Sequence, residues 1–309
     1  MNIAIIGSNG FIGCHLVNHL SENPAYNLFL FGRNEINFNT SVKSYNQIDS
    51  LTDIEFNTLF KDIDLVYYLA SASIPSSTWN NPRLELELNL FPFIDFLERC
   101  SKLKLKKVAF LSSAGTIYGP SINKMKENAE KHPHTPHGII KLTMEHFLDY
   151  YKSRSEIQFD IFRVSNVFGE GQNTSKGVGL INTFIESIYK INAVNVYGDG
   201  MNLRNYIYVR DVVRLLELSA KKDLNSSGIY NICSNDSYTV LQVIELLKES
   251  IDTTFSVNHL EKRGSDNLYI DIDNSEILKH FPGYKFENFK TALNHTASHI
   301  KKNYLGTGN

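Results

Sequence analysis

The sequence predicts an α/β fold, a doubly wound parallel sheet followed by a smaller C-terminal α/β domain. Three observations predict it. Short apolar runs alternate with helical patterns through the first half of the chain. A glycine-rich turn joins the first of those runs to the first helical pattern. After residue 166 the alternation loosens into glycine-rich loops. Strands separated by helices form βαβ units, whose helices cover a parallel sheet on both faces.

"NIAIIG" is a continuous apolar run closed by glycine, so it reads as the first strand. In "FIGCHLVNHLSEN", Ile12, Leu16, Val17 and Leu20 recur on one helical face. "YNLFLFG", "DLVYYLA", "KKVAFLSS" and "FDIFRVS" read as further strands. The loops "GEGQNTSKGVG" and "YGDGMN" break the rhythm. "SYTVLQVIELLKES" restores helical periodicity behind a Ser/Thr cap. The C-terminal "KKNYLGTGN" reads as a frayed tail.

A length of 309 residues suits roughly two domains. With 42% hydrophobic and 21% charged residues, the composition supports a packed core. A net charge of -2 gives no basic footprint for nucleic acid or a membrane surface. No apolar run approaches the ~20 residues of a membrane span. The N-terminus lacks a basic region with a cleavage pattern, and three scattered cysteines (Cys14, Cys100, Cys233) fit buried thiols in a reducing compartment. The expected location is cytoplasmic.

Gly7, Gly10 and Gly13 form G-x-x-G-x-x-G between strand and helix. Glycine permits the tight turn and lets backbone amides approach a pyrophosphate, and the helix N-terminus adds partial positive charge. A plain strand-to-helix turn also uses glycine, but this placement opens a Rossmann-type, dinucleotide-binding domain. Its expected span is 1–166. Residues 167–309 are then mainly a substrate domain, with a segment near 205–233 returning to the first. NAD sites usually carry a carboxylate at the end of the second strand. Here Gly32 and Arg33 stand there, with Glu35 slightly late. An arginine can pair a 2′-phosphate, so NADP is slightly favoured over NAD. A solvated surface arginine is the alternative.

Seven stretches resemble the extended short-chain dehydrogenases, in particular the nucleotide-sugar epimerase/dehydratase branch typified by UDP-glucose 4-epimerase. They are "IIGSNGFIGCHL", "DLVYYLASASIPSS", "VAFLSSAGTIYG", "FRVSNVFGEGQ", "VYGDGMNLRNYIYVRDVV", "YNICSNDSYTVLQVIELL" and "KRGSDNLYIDIDNSEI". The resemblance spans nearly the whole chain. It implies hydride chemistry at a sugar C4, with the sugar attached to a nucleoside diphosphate. It implies cofactor contacts at Gly7, Gly10, Phe11, Ile12, Gly13, Arg33, Asp49, Leu69, Ala70 and Lys141. It also implies a homodimer.

The family moves the hydroxyl proton with the tyrosine of Y-x-x-x-K, whose lysine binds the nicotinamide ribose. "TPHGIIK" places His137 where that tyrosine belongs and keeps Lys141. The i, i+4 spacing holds the pair on one helical face. Imidazole can carry a proton, but it ends roughly 2 Å short of a phenol oxygen, and a ~1 Å misplacement can cost about 100-fold. His137 is therefore a working variant acid/base, the mark of a binding-only relative, or an introduced substitution. A metal reading through His132, His134 and His137 lacks a carboxylate or thiolate ligand. Ala114 occupies the register of the family's catalytic Ser/Thr, leaving Ser113 and Thr116 as the hydroxyls.

On the substrate side, the resemblance assigns Arg204 and Arg263 to the diphosphate, a good partner for guanidinium. It assigns Ala72, Tyr118, Asn166 and Asn182 to the sugar nucleotide. Asn205 and Arg210 replace the family's usual aspartates. The first reading is an NAD(P)-dependent nucleotide-sugar 4-epimerase acting on a UDP-hexose. The alternatives are an NADPH-dependent nucleotide-4-ketosugar reductase and a non-catalytic nucleotide-sugar or dinucleotide-binding relative.

Overall fold

The structure is a computed structural model that describes residues 1–33, 42–47, 56–72, 81–103, 105–121, 123–175, 178–262 and 269–306. The first apolar run forms β1 (Asn2–Ile6). The other strands, in chain order, are β2 (Asn27–Gly32), β3 (Ser44–Gln47), β4 (Leu65–Tyr68), β5 (Lys107–Ser113), β6 (Gln158–Val164), β7 (Asn166–Phe168), β8 (Ala193–Tyr197), β9 (Leu203–Tyr208), β10 (Gly228–Ile232), β11 (Ser237–Thr239) and β12 (Ser256–Leu260). Seven make one sheet in the order β10-β6-β5-β4-β1-β2-β3. β1 to β6 pair in parallel, with Ile3 opposite Leu28 on one side and Leu65 on the other. The order turns back between β1 and β4. Doubly wound sheets bind ligands at such a switch point, beyond the carboxyl ends of the strands.

Each strand expected in the first half is present. β3 was not expected, because "SYNQ" has no apolar alternation and none of its residues is buried. Beneath the sheet lies an aromatic core. Phe60 stacks on Phe31 and Phe56, and Tyr68, Phe93, Phe96 and Phe110 pack around one another. Each such buried ring contributes roughly 1.5–3 kcal/mol. The cysteines are unpaired, with Cys100 and Cys233 buried. Among the described residues no helix is long and apolar enough to cross a membrane.

The chain divides into two units. One comprises Met1–Ile117, His132–Val164 and Val213–Tyr230, and the other Tyr118–Lys131, Ser165–Val212 and Asn231–Asn309. The sequence expectation is a boundary at 166 with a segment near 205–233 returning to the first domain, and it does not set residues 118–131 apart. Residues 118–131 join the second unit because Met125 bridges Ile272 and Ser121 N donates to Tyr269 O. The second unit contains a three-stranded sheet, β11-β9-β7, and the parallel pair β12-β8. Its helix Val240–Ser250 opens with a full capping box between Thr239 and Gln242, as the Ser/Thr signal predicts. The frayed-tail expectation is corrected: the helix Phe289–Gly306 runs through Lys301–Tyr304. Ala292, Leu293, Thr296 and Ala297 anchor its buried face, and the helix continues from that anchor.

Candidate active site

The turn after β1 is built from close backbone approaches. Gly7 has φ +87°, and a Cβ there would lie 2.9 Å from Ala70 N. A Cβ on Gly13 would lie 2.2 Å from Gly7 O. Gly7 N and Ser8 N both donate to Phe31 O, tying the turn to β2. In the helix Phe11–Ser21 the first rung is Cys14 N to Gly10 O at 2.9 Å. The amides of Phe11, Ile12 and Gly13 therefore precede the ladder and have no helical acceptor. Such a helix start suits a pyrophosphate, so these residues fit a dinucleotide. Leu69 and Ala70 continue β4 over this turn, with Leu69 N donating to Ile6 O. Gly32 is packed under Asn9, since a Cβ would meet Asn9 Oδ1 at 1.8 Å. Asn9 in turn donates to Tyr45 at 2.9 Å. Arg33 is exposed at the end of β2. Asp49, like Glu35, lies outside the described residues.

His137 and Lys141 share the buried face of the helix Pro136–Lys152. Thr135 caps that helix by accepting from Gly138 N, and Pro136 fills its first turn. Gly138 is needed there, because a Cβ would lie 2.4 Å from Thr116 O. Lys141 Nζ donates to Leu111 O at 2.9 Å and stands 4.9 Å from the Phe110 ring centroid. Burial lowers its ammonium to about 8, opposed by the charges of Glu85 and Glu145. Ser113 ends β5 half-buried, and Ala114 is fully buried. Thr116 Oγ1 and His137 Nδ1 are buried without a hydrogen-bond partner among the described residues.

Sequence reasoning missed the buried groups around this pair. Glu145 receives Arg163 Nη2 at 2.7 Å and Ser112 Oγ at 2.5 Å. Glu85 receives Asn89 Nδ2 at 2.7 Å, and Asn89 Oδ1 receives Ala72 N at 2.9 Å. Ala72 is thus held through its backbone. Glu145 could have been found, since it continues the i, i+4 row of His137 and Lys141. Glu85 precedes and Asn89 lies within a π-helical turn, Leu86–Leu90, which leaves no clear signal in the apolar pattern. Such turns often occur at functional sites.

In the second unit, Asn166 and Arg204 line one cavity of about 350 Å³, together with Gln172, Tyr197, Asn202 and Phe184. Asn166 Nδ2 donates to Asn205 O at 2.9 Å. Arg204 Nη1 donates to Leu203 O at 2.8 Å. Two expected substrate contacts have their side chains engaged within the unit. Asn182 is fully buried, and its amide closes a ring with the backbone of Gly169 (2.7 and 3.3 Å). Tyr118 is buried with its hydroxyl on Asn231 Oδ1 at 2.7 Å. Both side chains make their hydrogen bonds inside the unit. Arg263 lies outside the described residues.

A doubly wound sheet, unladdered amides at its first helix and a buried lysine one turn from a buried histidine are the features of a dinucleotide-dependent enzyme of the short-chain dehydrogenase type. The chain belongs to the NAD dependent epimerase/dehydratase family, whose sequence profile matches residues 3–233. It is 28% identical over 311 residues to a putative UDP-glucose 4-epimerase of Methanocaldococcus jannaschii, covering 97% of this chain and 99% of that one. The structure of UDP-glucose 4-epimerase from Thermotoga maritima with UDP-glucose superposes with a TM-score of 0.89. That protein is 26% identical, and the match covers 98% of this chain and 100% of that one. A dTDP-4-dehydro-6-deoxyglucose reductase of Escherichia coli is 27% identical over 187 residues, 60% of this chain and 59% of that one.

Proposed function

We propose that the protein is a nucleotide-sugar 4-epimerase of the UDP-hexose type, working with NAD or NADP through a 4-keto intermediate. The observation that carries this reading is the buried His137–Lys141 pair, in a chain matched end to end by a relative named a putative UDP-glucose 4-epimerase and by the Thermotoga maritima UDP-glucose 4-epimerase. The dinucleotide, when bound, supplies the acceptor and donor of hydride. The amides of Phe11, Ile12 and Gly13 bind its pyrophosphate. Lys141 donates from Nζ to its ribose. His137 takes the sugar hydroxyl proton at a ring nitrogen and returns it after the ketone has turned in the site. The hydroxyls of Thr116 and Ser113 steady the substrate oxygen, and Thr116 Oγ1 has no competing partner among the described residues. Arg204 and Asn166 hold the sugar nucleotide in the second unit.

A second reading, an NADPH-dependent 4-ketosugar reductase, is favoured by Arg33 at the 2′ position and by the partial likeness to the Escherichia coli reductase. One assay separates the readings. The purified protein is incubated with UDP-glucose or UDP-galactose, and separately with a nucleotide 4-ketosugar and NADPH. Interconversion without added cofactor is the expected result. Consumption of NADPH would replace the epimerase by the reductase. Binding without turnover would leave a non-catalytic relative.

A further inference from the structure

We propose that Glu85 is the positioning residue of His137: its carboxylate holds the ring hydrogen on Nδ1 and leaves Nε2 as the ring's acceptor. The proposal deepens the reading of His137 as the proton carrier, and rests on it. His137 Nδ1 lies 3.5 Å from Glu85 Oε1, and both side chains are buried. That distance is long for a hydrogen bond, and Nδ1 is otherwise without a partner among the described residues. Catalytic hydrogen bonds are often long in a ligand-free protein and tighten when substrate binds. The other carboxylate oxygen, Oε2, is fixed by Asn89 Nδ2 at 2.7 Å. Asn89 is itself fixed by Ala72 N, so the carboxylate cannot swing away without breaking its bond to a held partner. Lys141, which senses the charges of both Glu85 and Glu145, lies one turn from His137. Glu145 is committed to Arg163, and Lys141 rests on Leu111 O.

The chemistry explains why a histidine needs such a partner. A phenol has one oxygen that both gives and takes the proton. An imidazole has two nitrogens, and which one holds the hydrogen is set by the bond the other makes. A carboxylate on Nδ1 fixes the useful tautomer. When Nε2 takes the hydroxyl proton, the cation that forms lies beside an opposite charge. When Nε2 gives the proton back, the ring returns to the same tautomer. A buried carboxylate is costly unless it is hydrogen-bonded, and Glu85 takes Asn89 on one oxygen and faces the His137 ring with the other.

The test uses the ligand-free protein and the active enzyme. Histidine ¹⁵N shifts are recorded on the full chain, with His137 assigned by its loss in His137→Tyr. The neutral ring of the parent should carry hydrogen on Nδ1, and Glu85→Gln should move part of it to Nε2. An Nε2–H ring in the parent, or no change in Glu85→Gln, overturns the proposal. In turnover, Glu85→Gln should lower kcat about 100-fold with KM for the sugar nucleotide nearly unchanged, within the range of general acid–base effects. In the His137→Tyr background the same change should alter kcat by less than about 3-fold, because coupled residues are not additive. Equal losses in both backgrounds would show that Glu85 acts on Lys141 or the fold, and would also overturn it. If the parent turns over no sugar nucleotide, the functional reading fails and the tautomer alone decides Glu85.

Discussion

Lys141 sits in the interior with its Nζ on a backbone carbonyl and over an aromatic ring. Those contacts do not replace the lost water. Burial brings the group down to about 8, even though Glu85 and Glu145 pull the other way. An unfolded lysine titrates near 10.4. Between those values the unfolded chain binds more protons than the folded one, so stability rises with pH across the window. The contribution is fully present above about 10.4 and is lost as pH falls through 8. Its size is on the order of 3 kcal/mol, from the shift at 1.36 kcal/mol per unit. Urea unfolding of the ligand-free protein at pH 7.5 to 10.5 reads it directly. The parent should gain stability relative to Lys141→Met as pH rises through the window. A constant difference between the two would mean that the folded protein leaves Lys141 hydrated.

Elements are tied together in the second unit by a substituted residue. Asn205 on β9 is fully buried. Its Oδ1 accepts from Ser165 Oγ and Ser234 N, at 2.9 and 3.1 Å. Its Nδ2 donates to Ser234 O and Asp236 O, at 3.0 and 2.9 Å. Backbone partners of fixed polarity settle which way the amide faces. An aspartate here would turn an oxygen toward two carbonyls. Asn205→Asp should therefore cost about 1–3 kcal/mol, the penalty for leaving a buried polar group unsatisfied. A denaturant midpoint unchanged from the parent would show that the strands reorganise around the carboxylate. The same comparison shows what was legible in the sequence. β1, β2, β4, β5 and β6 were readable because they are buried apolar runs. The glycine turn and the His137–Lys141 pair were readable because their spacing is local. The polar β3, the ring between Asn182 and Gly169 and the Glu85–His137 approach were not. Each depends on partners distant in sequence, or on a strand with no apolar face.

At the scale of the molecule, the chain passes between its two units several times, leaving the first after Ile117, Val164 and Tyr230 and re-entering it at His132 and Val213. The glycine turn, His137 and Lys141 belong to the first unit, whereas Asn166 and Arg204 belong to the second. The two ligands of the proposed reaction are thus assigned to different bodies of the fold, and their affinities should be separable. Arg204 extends from β9, whose register with β11 sets it opposite Tyr238, and it lines the cavity with Asn166. A guanidinium there offers two parallel donors to a diphosphate, which no neutral side chain reproduces. Arg204→Ala should weaken the sugar nucleotide by about 1.5–3 kcal/mol, the range for a hydrogen bond to a charged group. That corresponds to roughly 10- to 150-fold in Kd. Titration calorimetry with UDP-glucose and, separately, with the dinucleotide measures both. Binding of the dinucleotide should stay within about 2-fold of the parent, a change of only about 0.4 kcal/mol, since its proposed cradle belongs to the other unit. Parallel loss of both ligands would trace the defect to folding. Loss of the dinucleotide alone would move Arg204 out of the substrate site.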